Sequence, residues 1–179
     1  GCMSTNDTAI ILANGLAGNN PLERAQARLQ RFREMLTDVL AELSSAVVKD
    51  GEGATKFITI DVDGAKSKSD ARRVAYAIAN SNLVKTAFFG EDPNWGRIIA
   101  AIGSSGIPLE KEKISLSIGN QTVFAQDTPA NISPSKLKEI FQGSKIEIRV
   151  GLGGGDKSYS VYTSDLSYDY VKINADYRS

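Results

Sequence analysis

The sequence predicts a mixed α/β protein of the α+β class, in which sheet layers pack with helices. A long segment after Pro21 carries apolar residues spaced by threes and fours, which is the pattern of an amphipathic helix. A β-branched stretch at 56–63 alternates like a half-buried strand. Helix-like and strand-like segments alternate up to Gly106, and strand-like segments predominate after it. We therefore expect either two lobes, 1–106 and 107–179, or one continuous domain.

Two helices and a strand are expected in the first third of the chain. The apolar run at 8–14 follows polar residues suited to a helix start, which predicts a short buried helix ending at Asn14. The long helix begins at Pro21, places its apolar residues on one face and closes at Asp50 before a glycine. The strand at 56–63 follows. The apolar face of the long helix consists of Ala25, Leu29, Phe32, Leu36, Val39, Leu43 and Val47.

The middle of the chain carries two predicted helices around a predicted strand. A serine or an aspartate at 69–70 caps a helix that runs to about Asn80. The apolar run LVKTAFFG at 83–90 predicts a buried strand. Asp92, followed by a proline, has the N-cap and first-turn signature of a helix through Ile102.

The last third of the chain is predicted to be rich in strands. A hairpin is expected at 115–124, around a Gly-Asn pair, and a Ser-Pro start predicts a helix over 134–141. Strands at 145–150 and 159–162 flank a glycine-rich turn. Residues 168–174 alternate in polarity, so we expect the chain to end as a strand and not as a frayed tail.

The composition excludes several classes of function. The 21 basic and 21 acidic residues cancel and form no blocks, so we expect neither a nucleic-acid partner nor a membrane partner. The longest apolar runs, 9–13 and 98–102, are far shorter than the roughly 20 residues of a membrane span. No signal-peptide pattern is present, and the single cysteine, Cys2, cannot form an internal disulfide. We expect a soluble protein in the cytoplasm.

The chain contains no histidine. It cannot by itself supply a Ser-His-Asp or Cys-His device, or a histidine-ligated zinc or haem site. Any acyl transfer must therefore use another base, and no metal ligand set is predicted.

The motif GLGGGDKS at 151–158 superficially resembles a phosphate-binding loop, because glycines followed by Lys-Ser can cradle phosphates with backbone N–H groups. However, Asp156 stands where such a loop needs glycine, and a β-like segment follows where a helix is required. We expect a flexible hairpin turn there and no nucleotide binding.

Glu52 lies between two glycines just before a predicted strand, where the backbone can approach a ligand closely. One interpretation is a solvated turn glutamate. The other is a carboxylate that receives a substrate ammonium, a charged hydrogen bond worth about 1.5–3 kcal/mol. The residues alone leave both open.

The polar loop GEDPNWGR at 90–97 is a second candidate for lining a pocket. Structural roles explain most of its residues equally well: Asp92 caps a helix, Trp95 packs, and Arg97 pairs with Glu91 or Asp92. A third candidate is the polar end of the chain, which includes Asn174 and Ser179.

Five segments together resemble the ornithine acetyltransferase (glutamate N-acetyltransferase) family, and they occur in the family's order. This resemblance implies an ornithine-acetyltransferase-like fold that is incomplete on its N-terminal side. The segments are STNDT at 4–8, LANG at 12–15, DGEGATKF at 50–57, NLVKTAFFGEDPNWGR at 82–97 and SYDYVKINADYRS at 167–179.

The resemblance also implies an activity and an assembly. A precursor cleaves itself into α and β chains, which assemble as an α2β2 heterotetramer, and the threonine at the new N-terminus of the β chain is the nucleophile. The present sequence corresponds to the C-terminal part of that β chain. The ping-pong cycle of the threonine moves an acetyl group from N2-acetylornithine to glutamate in arginine biosynthesis. That threonine is expected upstream of Gly1, so neither Thr5 nor Thr8 takes the role. No cofactor is expected, although acetyl-CoA is a co-substrate if the parent is bifunctional.

Three residues match the family's substrate-binding positions: Glu52, Asn174 and Ser179. A carboxylate suits the amine of ornithine, whereas an amide and a hydroxyl can bind either the amine or the carboxylate of an amino acid. The competing hypothesis is a non-catalytic amino-acid-binding or assembly domain on the same scaffold. An upstream coding segment that begins with a threonine would distinguish the enzyme from that domain.

Overall fold

The computed structural model describes residues 6–22 and 27–176. The chain divides into two compact units, Gly1–Ser45 and Ala46–Ser179. The lobes predicted at 1–106 and 107–179 stay a prediction.

The first unit consists mainly of one long helix, α1 (Ala27–Lys49), whose last residues belong to the second unit. The long amphipathic helix is thereby confirmed, but its predicted start at Pro21 is wrong, because Pro21 and Leu22 are not helical, and none of the helix's residues is buried. The predicted short buried helix at 8–14 is wrong: these residues are exposed and form no helix. A run this short gains too few hydrogen bonds to offset helix nucleation without packing. The large apolar residues exposed on α1 are Phe32, Met35, Val39, Leu40, Leu43 and Val47.

The second unit is built on a six-stranded mixed sheet with the order β4-β3-β2-β5-β1-β6. β1 runs parallel to β5, and every other neighbouring pair in the sheet is antiparallel. Because β5 and β6 lie on opposite sides of β1, the glycine-rich segment between them is not the predicted hairpin turn. The strands are β1 (Phe57–Ala65), β2 (Ser115–Ile118), β3 (Gln121–Ala125), β4 (Thr128–Pro129), β5 (Lys145–Gly151) and β6 (Lys157–Ser164).

One face of the sheet supplies the core. Along β1, Ile58, Ile60 and Val62 are buried while the residues between them are only partly covered, as a strand with one packed face requires. The α-helices of this unit are α2 (Lys68–Ala79), α3 (Asn82–Phe89), α4 (Trp95–Gly103), α5 (Pro134–Gln142) and α6 (Tyr168–Asp176). Helix α2 packs against β1 and β6 and also against α4.

Two helix starts in the second unit also differ from the prediction. The hydroxyl of Ser67 caps α2 by accepting from the backbone N–H of Asp70, so α2 begins at Lys68, earlier than expected. Asn94, with no side-chain capping bond, precedes α4, so Asp92 is not its N-cap. The predicted strand at 56–63, the hairpin, the helix at 134–141 and the strands at 145–150 and 159–162 are confirmed.

The segment at 83–90 is a helix, α3, and the predicted strand there is wrong. Ser81 accepts a hydrogen bond from the N–H of Val84 and so caps the helix. The buried apolar side chains fall at Val84, Ala87 and Phe88, which is helical spacing, and Lys85 is buried beside them. A short apolar run has no periodicity of its own that separates a buried strand from a buried helix, and the cap at Ser81 decides between them.

The segment at 168–174 is also a helix, α6, and not the predicted final strand. Ser167 accepts from the N–H of Tyr170, and Asp169 places a negative charge in the first turn, where it suits the helix dipole. No residue of α6 is buried, so the alternating polarity of this segment does not indicate a strand with one buried face. No helix within 6–22 and 27–176 is long and apolar enough to cross a membrane.

Candidate functional site

A tight turn presents Glu52 just ahead of β1. The N–H of Ala54 donates to the carbonyl of Gly51 over 3.0 Å, which closes the turn around Glu52. Gly53 has a φ of 67°, the left-handed region that favours glycine. The glutamate side chain is exposed. The two glycines therefore serve the turn, and Glu52 is free of packing against the core.

Asn174 lies on α6 and reaches this turn. Its Nδ2 donates to Oε2 of Glu52 over 3.2 Å and to the carbonyl of Tyr170, one turn earlier in the helix, over 2.9 Å. Both partners are pure acceptors, which fixes which end of the amide faces them. The structure thus brings together two of the three predicted site residues. Ser179, the third, lies outside the described residues.

The Glu52/Asn174 pair leaves two acceptor atoms unused. Within the described residues, Oε1 of Glu52 and Oδ1 of Asn174 accept no hydrogen bond. A carboxylate oxygen and an amide oxygen held together this way suit a ligand that offers several N–H donors and a positive charge. A primary ammonium has those properties.

Two residues that the sequence analysis missed support the pair from the segment between β6 and α6. Asp165 accepts hydrogen bonds from the backbone of Thr55 and Lys56, and Ser167 donates to the carbonyl of Gly53. Both are buried. The sequence carries a signal for Ser167, because a serine two residues before an aspartate is a helix N-cap pattern, but the alternating polarity of 168–174 favours a strand instead.

Lys56 connects the turn with the loop at 90–97. Its side chain is only 6% exposed, and its Nζ lies 3.3 Å from Oε1 of Glu91 and 3.3 Å from the carbonyl oxygen of Gly143. Glu91 has a φ of 54°, which is uncommon for a residue with a side chain. The loop is therefore held by an ion pair to the residue that precedes β1.

The predicted partners of Arg97 are wrong. Its guanidinium donates to the carbonyl of Leu83 over 2.8 Å and to the hydroxyl of Thr86 over 3.3 Å, and it pairs with neither acidic residue of the loop. Backbone and hydroxyl oxygens of α3 are closer acceptors for it, so Arg97 joins α4 to α3. Trp95 packs as expected, with its ring 5.9 Å from that of Phe124.

Neither of two cavities formed by described residues contains the Glu52/Asn174 pair. One, about 190 Å³, is lined by apolar residues, and the loop at 90–97 contributes Pro93 and Trp95 to it, not its charged residues. The other, about 140 Å³, has Lys66, Glu110 and Leu152 among its lining residues. The open turn at Glu52 carries the polar groups suited to an amino acid, and the cavity at Trp95 does not.

No cluster of acidic or cysteine residues able to hold a metal ion occurs within the part of the chain that the structure describes. The segment GLGGG is anchored to β1: the N–H of Gly154 donates to the carbonyl of Gly64 over 2.7 Å. Such an amide is already occupied and is not offered to a phosphate.

The model of the ArgJ family matches residues 1–179. Among curated relatives, the arginine biosynthesis bifunctional protein ArgJ of Geobacter sulfurreducens is 49% identical over the whole of this chain and 46% of its own length. The mitochondrial protein of the same name from Schizosaccharomyces pombe is 44% identical over the whole chain and 42% of its own length. The chain thus spans less than half the length of these curated relatives.

A solved structure shares the fold. The crystal structure of arginine biosynthesis bifunctional protein ArgJ from Bacillus halodurans matches with a TM-score of 0.92 and 39% sequence identity. The match covers 99% of this chain and 84% of that crystallised chain. The mixed α and β fold is therefore shared by a solved ArgJ protein over almost all of the present sequence.

Proposed function

The chain belongs to the ArgJ family, and from that premise we propose that it is the substrate-binding portion of a glutamate N-acetyltransferase. The complete enzyme transfers an acetyl group from N2-acetyl-L-ornithine to L-glutamate in arginine biosynthesis. The observation that carries this proposal is the hydrogen bond between Asn174 and Glu52, which joins two separate motifs into one acceptor site.

In this proposal the Glu52/Asn174 pair binds the amine of ornithine. Oε1 of Glu52 and Oδ1 of Asn174, which accept no hydrogen bond from a described residue, accept from the ammonium, and each charged hydrogen bond contributes about 1.5–3 kcal/mol. Ser179 is proposed as a further substrate-binding hydroxyl. A negative site in an exposed turn also favours the approach of a positively charged substrate over an anionic one.

The chemical step uses a threonine that we place in a segment preceding this chain. Its hydroxyl attacks the acetyl carbonyl of N2-acetylornithine, and ornithine leaves as the amine after it gains the proton. The amine of glutamate then attacks the acetyl-threonine ester, which yields N-acetylglutamate and restores the hydroxyl. A terminal threonine has its own amine as a base, so the cycle needs no histidine, and this chain has none.

We further propose that this chain is the C-terminal part of a β chain that begins with that threonine, and that a separate α chain, released by autocatalytic cleavage, joins it in an α2β2 heterotetramer. The match covers 84% of the crystallised relative but only 42–46% of the curated relatives, so the crystallised chain is itself about half their length. The exposed apolar residues of α1 provide a surface for such a partner. We propose the cytoplasm as the compartment and no cofactor, with acetyl-CoA as an added co-substrate if the parent is bifunctional.

Replacing Glu52 in the complete protein tests the function. Glu52→Ala should lower kcat/KM for N2-acetylornithine at least about tenfold, since it removes a charged hydrogen bond, while self-cleavage into two chains continues. Glu139→Ala is the matched control, because Glu139 is an exposed glutamate of α5 that pairs with no described residue. Unchanged kinetics in Glu52→Ala would refute the assigned role.

A further inference from the structure

The short segment at 165–167, between β6 and α6, touches both sides of the Glu52/Asn174 pair. We propose that Asp165 and Ser167 are positioning residues, which set the distance between the Glu52 carboxylate and the Asn174 amide and so determine affinity for a primary amine. The inference rests on the proposed function, because it requires that pair to bind substrate.

Asp165 fixes the chain just after Glu52. It is 4% exposed, and its Oδ1 accepts from the N–H groups of Thr55 over 2.8 Å and of Lys56 over 2.9 Å. Its Oδ2 accepts from the hydroxyl of Thr55 over 2.6 Å. No cation forms an ion pair with Asp165 among the described residues, so these three donors replace the water that its buried charge has lost. Displacing Thr55 or Lys56 would leave the buried carboxylate of Asp165 without its hydrogen-bond donors. The desolvation free energy would then no longer be offset, so Thr55 and Lys56 are held firmly in place.

Ser167 joins the turn to the helix through a single hydroxyl. Its Oγ donates to the carbonyl of Gly53 over 2.6 Å and accepts from the N–H of Tyr170 over 3.2 Å. The residue is 3% exposed. The first bond holds the residue next to Glu52, and the second holds the start of the helix that carries Asn174.

The contact between turn and helix is closer than any side chain would allow. A Cβ added to Gly53 would lie 2.5 Å from the backbone nitrogen of Tyr170 and 2.9 Å from Oγ of Ser167. The backbone of the turn therefore rests directly on the first turn of α6. This contact restricts the position of Glu52 relative to Asn174. It matters because both side chains are exposed and neither packs against the core.

The purpose of this arrangement follows from the exposure of the pair. An exposed glutamate samples several rotamers, and ordering its side chain on binding removes this freedom at a cost in affinity. A fixed backbone on both sides, with Asn174 already bound to Oε2, means that less of that freedom is lost when the ammonium arrives. Asp165 and Ser167 act through Glu52 and do not touch the substrate themselves.

A double-mutant cycle in the complete protein tests this route. Ser167→Ala should raise KM for N2-acetylornithine about tenfold with little change in kcat, because misplaced binding groups lose affinity steeply. In a Glu52→Gln background, the same change should cost less than about twofold, because the effect runs through Glu52. Ser167→Thr, which retains the hydroxyl, should recover most of the loss.

Two further variants keep the test decisive. Thr163→Val is the matched control, since Thr163 is also buried near the end of β6 but donates to the carbonyl of Ala79, and it should alter KM less than about twofold. Thr55→Val removes only the hydroxyl donor to Asp165, and it should raise KM about two- to threefold even if Ser167→Ala does not fold.

The outcomes separate the two proposals. If Glu52→Gln leaves KM unchanged, the proposed function fails. If Glu52→Gln raises KM but the effects of Ser167→Ala and Glu52→Gln multiply, or if Ser167→Ala and Thr55→Val change nothing, the positioning role is overturned and the proposed function stands.

Discussion

Asn174 donates a hydrogen bond to Glu52 over 3.2 Å across a sequence separation of 122 residues. The two motifs that contain these residues, DGEGATKF and SYDYVKINADYRS, form one site only because β1 and β6 are neighbours in the sheet. β1 begins at Phe57, shortly after the Glu52 turn, and β6 ends at Ser164, with only residues 165–167 between it and α6. The pairing of β1 with β6 thus brings the turn and α6 together at the same end of these two strands.

The turn at Gly53 should not tolerate a side chain. Gly53→Ala should lower the free energy of unfolding by at least about 2 kcal/mol, because a left-handed alanine and a clash with the Tyr170 backbone add together. Urea unfolding followed by circular dichroism measures this. Gly103→Ala, at the end of α4 with open space around it, should be neutral or stabilising by up to about 1 kcal/mol. Equal effects of the two changes would contradict the described packing.

The ion pair between Lys56 and Glu91 should respond asymmetrically to mutation. Glu91→Gln leaves the ammonium of Lys56 buried beside a single carbonyl and should cost about 1–2 kcal/mol, less than a fully buried pair because Glu91 is 40% exposed. Lys56→Met removes the buried charge and leaves Glu91 facing water, so it should cost less than about 1 kcal/mol. Urea unfolding of both variants is the measurement, and a more damaging Lys56→Met would show that the lysine does more than pair.

Glu110 should titrate at unusually low pH. A hydrogen bond and the charge of Lys113, 2.7 Å away, hold the pKa of Glu110 below its usual range, and Lys66 contributes less. Because the folded pKa is lowered, the stabilising contribution is present above the usual glutamate pKa and is lost as the pH falls through the folded pKa. Lys113→Met should raise the pKa of Glu110, as measured by NMR titration of its side-chain carboxyl. Lys66→Met should raise it less, and the opposite order would be evidence against this geometry.

The apolar face of α1 should be needed to retain the proposed α chain. Leu43→Lys places a charge among the exposed apolar residues and should reduce recovery of the α chain with a tagged copy of this chain. Ala41→Lys, also exposed, lies on the opposite side of the helix by its 100° spacing and serves as the control. Co-purification followed by quantitative gel analysis is the measurement, and equal recovery for both variants would exclude this face as the interface.

The sequence predicted elements well where a local signal was unambiguous. The hairpin at 115–124 and the helix starting at Pro134 have a Gly-Asn turn and a Ser-Pro cap, and both are present. The strands predicted at 83–90 and 168–174 are wrong because the apolar run in the first segment and the alternating polarity in the second were weighted above the serine caps, Ser81 and Ser167. At 8–14 the apolar run predicted burial that this unit does not provide.

The site was predictable only in part, for a different reason. Glu52 and Asn174 were identified by resemblance, because no spacing rule connects residues 122 positions apart. Asp165 has no local signal, because its partner Thr55 lies 110 positions away, and the N-cap pattern at Ser167 does not reveal its bond to Gly53, 114 positions away. Long-range hydrogen bonds of this kind depend on the order of strands in the sheet. The pairing of β1 with β6 cannot be predicted from the sequence of either strand alone.

Calorimetric titration of ornithine into the complete protein tests the central claim most directly. Glu52→Gln keeps the size and polarity of the side chain but removes the charge that should bind the amine. We predict that it weakens the Kd for ornithine at least about tenfold, while Glu139→Gln binds like the parent protein. Ornithine binding by Glu52→Gln with the parent affinity would contradict the account.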